Sequence, residues 1–395
     1  MSKAYFVGGG LGTLAAAADC LRKRGMRGGD LFVYETAGDG RMLRLRGMDG
    51  PRPSDKGETL PERLDGLCAG AQTAPCVWKT LRDGELRAAA PEGEAPALWE
   101  WLLSQSSLVR PLRAFLVDSD VHFIRQTVTD LEFEEGEETA VTALYTTDGR
   151  REEMVQLHEG DLCFFSPGQG DCAAWADAAR LPGSAPACPD VAVLWRRIAA
   201  RRPGLGNPEA FFTMPETTER ALLLVHGLRI SCGQLERLAA ADAIVKLEGT
   251  PWEMSMRVQG ARGARSICAC CLRPGARGAL TGKPMRACSG LEAARELLGA
   301  IGEGMSLPNR EADVFFGILP YAGAPLLAGT EAARPRMLPV QSENLAVLGP
   351  FVSGSFSPVR TLLDARRAVE ALSRPLPAAA GRDFFRRSPS AFADE

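Results

Sequence analysis

The chain has 395 residues, 45% hydrophobic and 24% charged, enough for two or three lobes rather than one small core. A formal net charge of −3 offers no basic surface of the kind that neutralises nucleic-acid phosphates, so no nucleic-acid partner is expected. No charged leader with an apolar core opens the chain, and no run of about 18 uncharged apolar residues appears, so a cytoplasmic protein with at most peripheral membrane contact is expected. Eleven cysteines at irregular spacings then read as reduced thiols, and the Ala, Arg and Gly bias is that of a GC-rich bacterial genome.

In chain order, Lys3–Val7 reads as a buried strand ending in Gly8-Gly9-Gly10, and Leu14–Lys23 as a helix with alanines on its sheet-facing side. Asp30–Glu35 is a second buried strand, which completes a right-handed βαβ unit. The pattern then dissolves into Gly, Pro and charge up to about Pro96, a long irregular segment with one or two short helices. A helical stretch over Trp99–Phe115 is expected to break before Pro111, and strands follow over Val121–Phe133, Ala140–Tyr145 and Asp161–Ser166. A second lobe mixes helices (Val191–Arg201, Gly290–Ile301) with strands (Ala221–Val225, Ala243–Leu247, Trp252–Val258). A last apolar strand, Asn344–Gly349, precedes a helix over Pro358–Leu372.

The expected class is α/β: a Rossmann-type FAD-binding domain assembled from discontinuous segments, with a second α+β substrate lobe. The implied boundaries are a βαβ unit at 1–50, an irregular insertion at 51–104 and further nucleotide-domain strands at 105–184. The substrate lobe spans 185–330, a closing strand and helix 331–374, and a linker and tail 375–395.

Val7-Gly8-Gly9-Gly10-Leu11-Gly12-Thr13 carries the sharpest chemistry. Gly8 permits the tight turn, Gly10 lets a pyrophosphate approach the backbone, and the helix N-terminus that follows Leu11 supplies free N–H groups. Gly12 belongs to the same nucleotide-binding turn, and Thr13 stands where a third glycine is usual, still small enough for close helix–strand packing and expected to cap the helix with its hydroxyl. Glu35, about 20 positions on, is placed to accept ribose hydroxyls and disfavours a 2′-phosphate. FAD is preferred to NAD because Asp161–Gly168 and Leu345–Gly349 supply distant strands closing on one nucleotide site.

Other constellations are weaker. Cys268-Ala-Cys270-Cys271 contains a C-x-x-C, and Cys288 follows, yet the segment reads as strand and ordinary buried thiols are favoured over a redox pair or zinc. His122, His158 and His226 are scattered, with His122 expected as a hydrogen-bonded structural histidine. Arg196-Arg197 with Arg201-Arg202 reads as a solvated helix face, an anion site being the alternative.

Several stretches, in order, resemble the oleate hydratases, the myosin-cross-reactive antigen family. They are Ala4–Leu11 with Leu14–Ala17, Arg110-Pro111-Leu112, Val121-His122-Phe123, Val128–Phe133, Gly160–Gly168, Gly206–Phe211, Trp252–Ser255, Lys283–Gly290, Leu319-Pro320-Tyr321, Arg334-Pro335-Arg336 and Asn344–Phe351, with Val359-Arg360-Thr361 opening the last helix. The resemblance implies FAD as cofactor, with further contacts from Val128, Ser166, Gly168, Gly349, Phe351 and Pro358. It implies addition of water to the cis double bond of an unsaturated fatty acid without net redox, Arg257 or Arg286 meeting the carboxylate and a homodimer remaining open. Two departures stand out. The family's helical insertion with its proton-donating tyrosine is missing between about Pro96 and Ser104, and its Gly-Gly-Arg-Glu segment is reduced to Lys56-Gly57-Glu58, leaving Glu58 as the candidate base. The C-terminal membrane-contacting extension is expected to be absent, with Phe384–Arg387 as a remnant. A flavin-dependent, amine-oxidase-like oxidoreductase and a non-catalytic homologue are the alternatives.

Overall fold

Three sheets organise the chain, two of them carrying separate cores. The computed structural model describes residues 2–35, 60–69, 76–136, 139–167, 174–177, 190–212, 215–228, 233–260, 265–302 and 313–372. Its strands begin with β1 (Ala4–Val7), β2 (Leu31–Tyr34), β3 (Trp78–Arg82), β4 (Glu85–Ala88), β5 (His122–Ile124), β6 (Thr127–Phe133), β7 (Val141–Thr147) and β8 (Glu152–Gln156). They continue with β9 (Leu162–Phe165), β10 (Ala174–Asp177), β11 (Arg220–Leu228), β12 (Ile244–Leu247), β13 (Met254–Gln259), β14 (Arg265–Cys271), β15 (Asp313–Leu319) and β16 (Leu345–Val347). The longer helices are α1 (Leu11–Arg24), α2 (Leu60–Cys68), α3 (Ala95–Ser104), α4 (Arg110–Asp118), α5 (Asp190–Ala199), α6 (Gly233–Ala240), α7 (Gly290–Ile301) and α8 (Pro358–Leu372).

The first sheet has the order β16-β9-β1-β2-β5, every pair parallel. Both faces are covered, so its strands read as apolar runs rather than alternations. Ala4 and Phe6 face a layer holding α1, α4 and α8, whereas Tyr5 and Val7 face the three-stranded meander β6-β7-β8 and α5. The chain leaves β1 for β2 on one side and returns as β9 on the other. That reversal opens a crevice beyond the carboxyl ends of β1 and β9, where ligands of parallel sheets bind.

The helical stretch differs from expectation at Pro111. The chain stays helical from Ala95 to Asp118 through a π-turn at Gln105–Val109, and Pro111 sits in the first turn of α4. A wider turn accommodates a residue that has no N–H and whose ring would crowd a preceding carbonyl. The Val121–Phe133 run likewise divides, β5 closing the parallel sheet and β6 opening the meander.

The second sheet has the order β10-β15-β11-β14-β13-β12-β3-β4, antiparallel except for the β12–β3 pair. Two of its strands come from the stretch expected to be irregular. β3 and β4 are joined at Asp83-Gly84, both at positive φ (50° and 78°), the turn that Asp-Gly favours. The Arg cluster is exposed at Arg197 and Arg201, as expected of a solvated face, yet each arginine also has a partner. Arg197 donates to the Thr129 carbonyl (3.0 Å), Arg201 pairs with Asp130 and Arg202 donates to the Gly136 carbonyl (2.7 Å), tying α5 and its end to β6 and the turn after it, while Arg196 pairs with Glu209 (2.5 Å).

α7 begins with a full capping box: the Ser289 hydroxyl accepts the Glu292 N–H (3.3 Å), and Glu292 accepts the Ser289 N–H (2.9 Å). Farther along α7, the buried Glu296 carboxylate accepts backbone N–H groups of Ala279, Leu280 and Thr281 and fixes the preceding loop. Glu296→Ala is expected to cost roughly 1–3 kcal/mol of unfolding free energy, read by urea denaturation. An unchanged midpoint would show that water replaces the carboxylate at no cost.

Candidate nucleotide site and second-lobe cavity

Four neighbouring strands end together around the glycine turn, and their ladders run into it. Gly8 donates to Tyr34, Ser166 to Val7 and Leu348 to Phe165 through backbone N–H groups at 2.8 to 3.0 Å, with Glu35 donating to Ile124 at 2.9 Å. Gly8, Glu35, Ser166 and Gly349 therefore lie just beyond β1, β2, β9 and β16. Gly8 has φ of 103°, and a Cβ there would meet the Ser166 carbonyl at 3.3 Å. Gly349 has φ of 105°, and its Cβ would lie 3.0 Å from the Ser166 hydroxyl oxygen.

The helix start suits a pyrophosphate. Gly10 is the N-cap of α1 and brings no side-chain cap, no acid occupies the first turn, and Arg22, Lys23 and Arg24 complement the dipole in the last. The N–H groups from Leu11 onward thus face the crevice without a capping side chain. Thr13 departs from its expected role. Its hydroxyl does not cap the helix; it donates back to the carbonyls of Gly8 (2.6 Å) and Gly10 (3.0 Å), tying the turn closed. At Gly12 a Cβ would stand 3.1 Å from Leu348 Cβ and 3.5 Å from Thr361 Cγ2, so glycine lets α1 lie against β16 and the first turn of α8. Pro358 opens that helix and is buried.

Glu35 is 5% exposed, and its carboxylate folds over the turn: a Cβ at Gly9 would lie 2.5 Å from Glu35 Oε1. Arg113 of α4 pairs with it and stacks on the Phe123 ring, 4.2 Å from the centroid. Neither Gly9 nor Arg113 is singled out by the fingerprint; the triple glycine was the only available signal, and Arg113 comes from 78 residues away. Val128 lies in the core between sheet and meander together with Val7, and Phe351, two residues after Gly349, packs with Trp195, Phe211 and Phe212. Gly168 and Glu58 fall outside the described residues.

A cavity of about 1380 Å³ lies in the second lobe. Its wall includes Trp78, Met254 and Leu272 beside two ion pairs, Arg220–Glu94 and Arg286–Glu219. Arg220 and Glu219 are buried, at 6% and 2% exposure. Of the two arginines weighed for a substrate carboxylate, Arg286 is on the cavity wall, whereas Arg257 pairs with Asp242 (2.8 Å) and is not. None of the four tyrosines lines it. α3 starts at the cavity with Ala95 and reaches about 15 Å along its ten residues, and its Trp101 ring lies 6.0 Å from that of Phe356, just ahead of α8.

The MCRA family matches residues 103–371, a span that takes in Arg113, β9, the strand β16 with Gly349, and the cavity wall from Thr217 to Arg286, while the glycine turn and Glu35 precede it. The chain belongs to the MCRA family, the oleate hydratase or myosin-cross-reactive antigen family. FAD is the cofactor that follows, and the uncapped helix start, the glycine turn and Glu35 fit its adenosine diphosphate half. No curated protein matches in sequence. Among solved structures, a cyclohexylamine oxidase from Brevibacterium oxydans aligns at TM-score 0.47 and 11% identity, over 94% of this chain and 98% of its own. A tryptophan 6-halogenase from Streptomyces toxytricini aligns at 0.43 and 12%, over 97% and 73%. No helix among the described residues is long and apolar enough to cross a membrane.

The cysteines described are unbridged thiols, most of them buried. Cys268 and Cys270 of β14 point into one core and Cys271 into the other, so the C-x-x-C pair lies on opposite faces and cannot close a disulfide. No metal cluster occurs among the described residues. His122, expected to be hydrogen-bonded in a core, instead occupies an exposed position on β5, stacked on Phe32 at 5.1 Å.

Two measurements follow. Gly10 has φ of −77°, and a Cβ there meets only the Ser166 hydroxyl oxygen at 3.7 Å, so Gly10→Asp should fold yet lose FAD because a carboxylate fills the phosphate position. Thr13→Val should weaken FAD roughly three- to tenfold in fluorescence titration, the worth of one hydrogen bond. Normal FAD uptake by Gly10→Asp would refute the site. The second concerns pH. Burial pushes Cys163 and Cys268 from 9.0 up to about 12, so between those values the native thiols keep protons that the unfolded chain has lost. Their stabilisation is whole below about pH 9 and is lost as pH rises towards 12, and urea midpoints should fall across that window in wild type and less in Cys163→Ala/Cys268→Ala.

Proposed function

We infer that the chain is a hydratase that takes an unsaturated fatty acid into the second-lobe cavity and adds water across its cis double bond. Family membership over residues 103–371 is the observation that carries this reading, and the cavity is its structural support. Arg286 meets the carboxylate, while Trp78, Met254 and Leu272 give the acyl chain apolar wall. One alkene carbon gains a proton and the other the hydroxyl of water, so no oxidant or reductant is consumed. FAD shapes and polarises the site when bound. Glu58 is the base that the resemblance assigns, and Glu94 is a described carboxylate on the cavity wall able to accept the proton of water, whereas Glu219, paired with Arg286, lies at the carboxylate end.

The absence of a tyrosine from the described cavity wall favours one second reading, a flavin-dependent oxidoreductase of an amine. Mass spectrometry after incubation of the FAD-loaded protein with oleate separates the two. A product heavier by one water, formed with reduced flavin and without oxygen uptake, is expected. Oxygen uptake with amines and no hydroxy acid would replace the hydratase by the oxidoreductase. Arg286→Met should raise KM about tenfold or more with little change in kcat, and comparison of Glu58→Gln with Glu94→Gln identifies the base by its loss of kcat.

A further inference from the structure

We propose that Arg113 is a positioning residue for the nucleotide, neutralising and orienting Glu35 so that a buried carboxylate and a pyrophosphate can occupy neighbouring places. The proposal rests on the nucleotide site described above and concerns a residue outside its fingerprint.

Glu35 creates an electrostatic problem. Its side chain is 7% exposed and lies against Gly9, in the middle of the turn whose far end offers N–H groups to two phosphates. A bare carboxylate there would repel the pyrophosphate with little water to screen it. Arg113 supplies the opposing charge. Its guanidinium pairs with Glu35 Oε1, is itself about a quarter exposed, and rests on the Phe123 ring, so its direction is fixed on two sides. Each partner comes from a different element: Glu35 follows β2, Arg113 lies on α4 and Phe123 on the edge strand β5. The pairing also aims the carboxylate. Holding Oε1 fixes the rotation of the group about its last bond, and with it the direction from which ribose hydroxyls beyond the strand ends can donate. Arg113 thus acts on the cofactor through Glu35.

A double-mutant cycle on the full chain tests this, with FAD bound by fluorescence titration and ADP by calorimetry as the two probes. Arg113→Met keeps an apolar stem over Phe123 and removes the charge, and should weaken both FAD and ADP by at least about tenfold. In a Glu35→Gln background the same change should cost less than about threefold, because no carboxylate remains to neutralise. Arg113→Lys should recover part of the loss, the charge being restored without the fork. FMN, which lacks the adenosine half, should be displaced equally from wild type and variant. Equal losses in the wild-type and Glu35→Gln backgrounds, or undiminished ADP binding by Arg113→Met, would overturn the proposal. Thermal melts of each variant show that the fold persists. If wild type itself takes up neither FAD nor ADP, the nucleotide reading falls, and the proposal with it; if wild type binds both, only the role of Arg113 is at stake.

Discussion

The nucleotide lobe depends on how closely α1 approaches the carboxyl ends of the parallel strands. Gly12 would place a Cβ only 3.1 Å from Leu348, and Ala15 to Ala18 are all buried behind it. Small residues along that face set the helix low on the sheet, and the low helix aims its N-terminal N–H groups at the crevice between β1 and β9. Thr13 then closes the turn on itself instead of capping the helix, leaving those N–H groups without a capping side chain. A larger side chain at Gly12 would lift the helix and move the anion site with it. Packing and ligand recognition are here one constraint.

The second lobe answers a different requirement. Its sheet buries both faces, and strand alternation sends Cys268 and Cys270 into one core while Ala269 and Cys271 face the other. Chemistry is thereby excluded from the thiols, which burial keeps protonated. The charged groups sit instead around the cavity, where Glu94 is held by Arg220 and Glu219 by Arg286. Pairing keeps such groups tolerable at low exposure and fixes the side chains that a substrate would meet. α3 links this wall to the Phe356 turn ahead of α8, joining the cavity to the nucleotide lobe through one rigid element.

Much of the nucleotide lobe was legible because parallel, doubly covered strands leave unbroken apolar runs bounded by glycine, as Ala4–Val7 and Leu162–Phe165 do. α8 was readable to the residue from Pro358 and its periodicity. The Trp78–Arg82 strand was hidden because an edge hairpin with half-exposed, charged positions has no core signature, although Asp83-Gly84 marked its turn. Helix continuity through Pro111 was hidden because a π-turn leaves no residue signal. Within the site, residues acting through local backbone geometry, Gly8, Gly10 and Gly12, were visible. Arg113 was not, because an ion pair spanning 78 residues has no spacing rule.

The most distinctive stretch of the family resemblance, Lys283–Gly290, shows how a motif can matter without touching chemistry at most of its positions. Lys283 pairs with Glu292 (2.7 Å), Met285 is fully buried, Cys288 donates to the Pro284 carbonyl (3.5 Å), and Ser289 caps α7. Glu296, two turns into the same helix, holds the loop just ahead by its backbone. These contacts fix the backbone on either side of Arg286, whose guanidinium pairs with Glu219 at the cavity wall. A guanidinium on a freely moving loop would lose most of its worth to the entropy of ordering it on binding. Anchored from both sides by helix α7, it is ordered in advance, and the surrounding motif is what supplies that order.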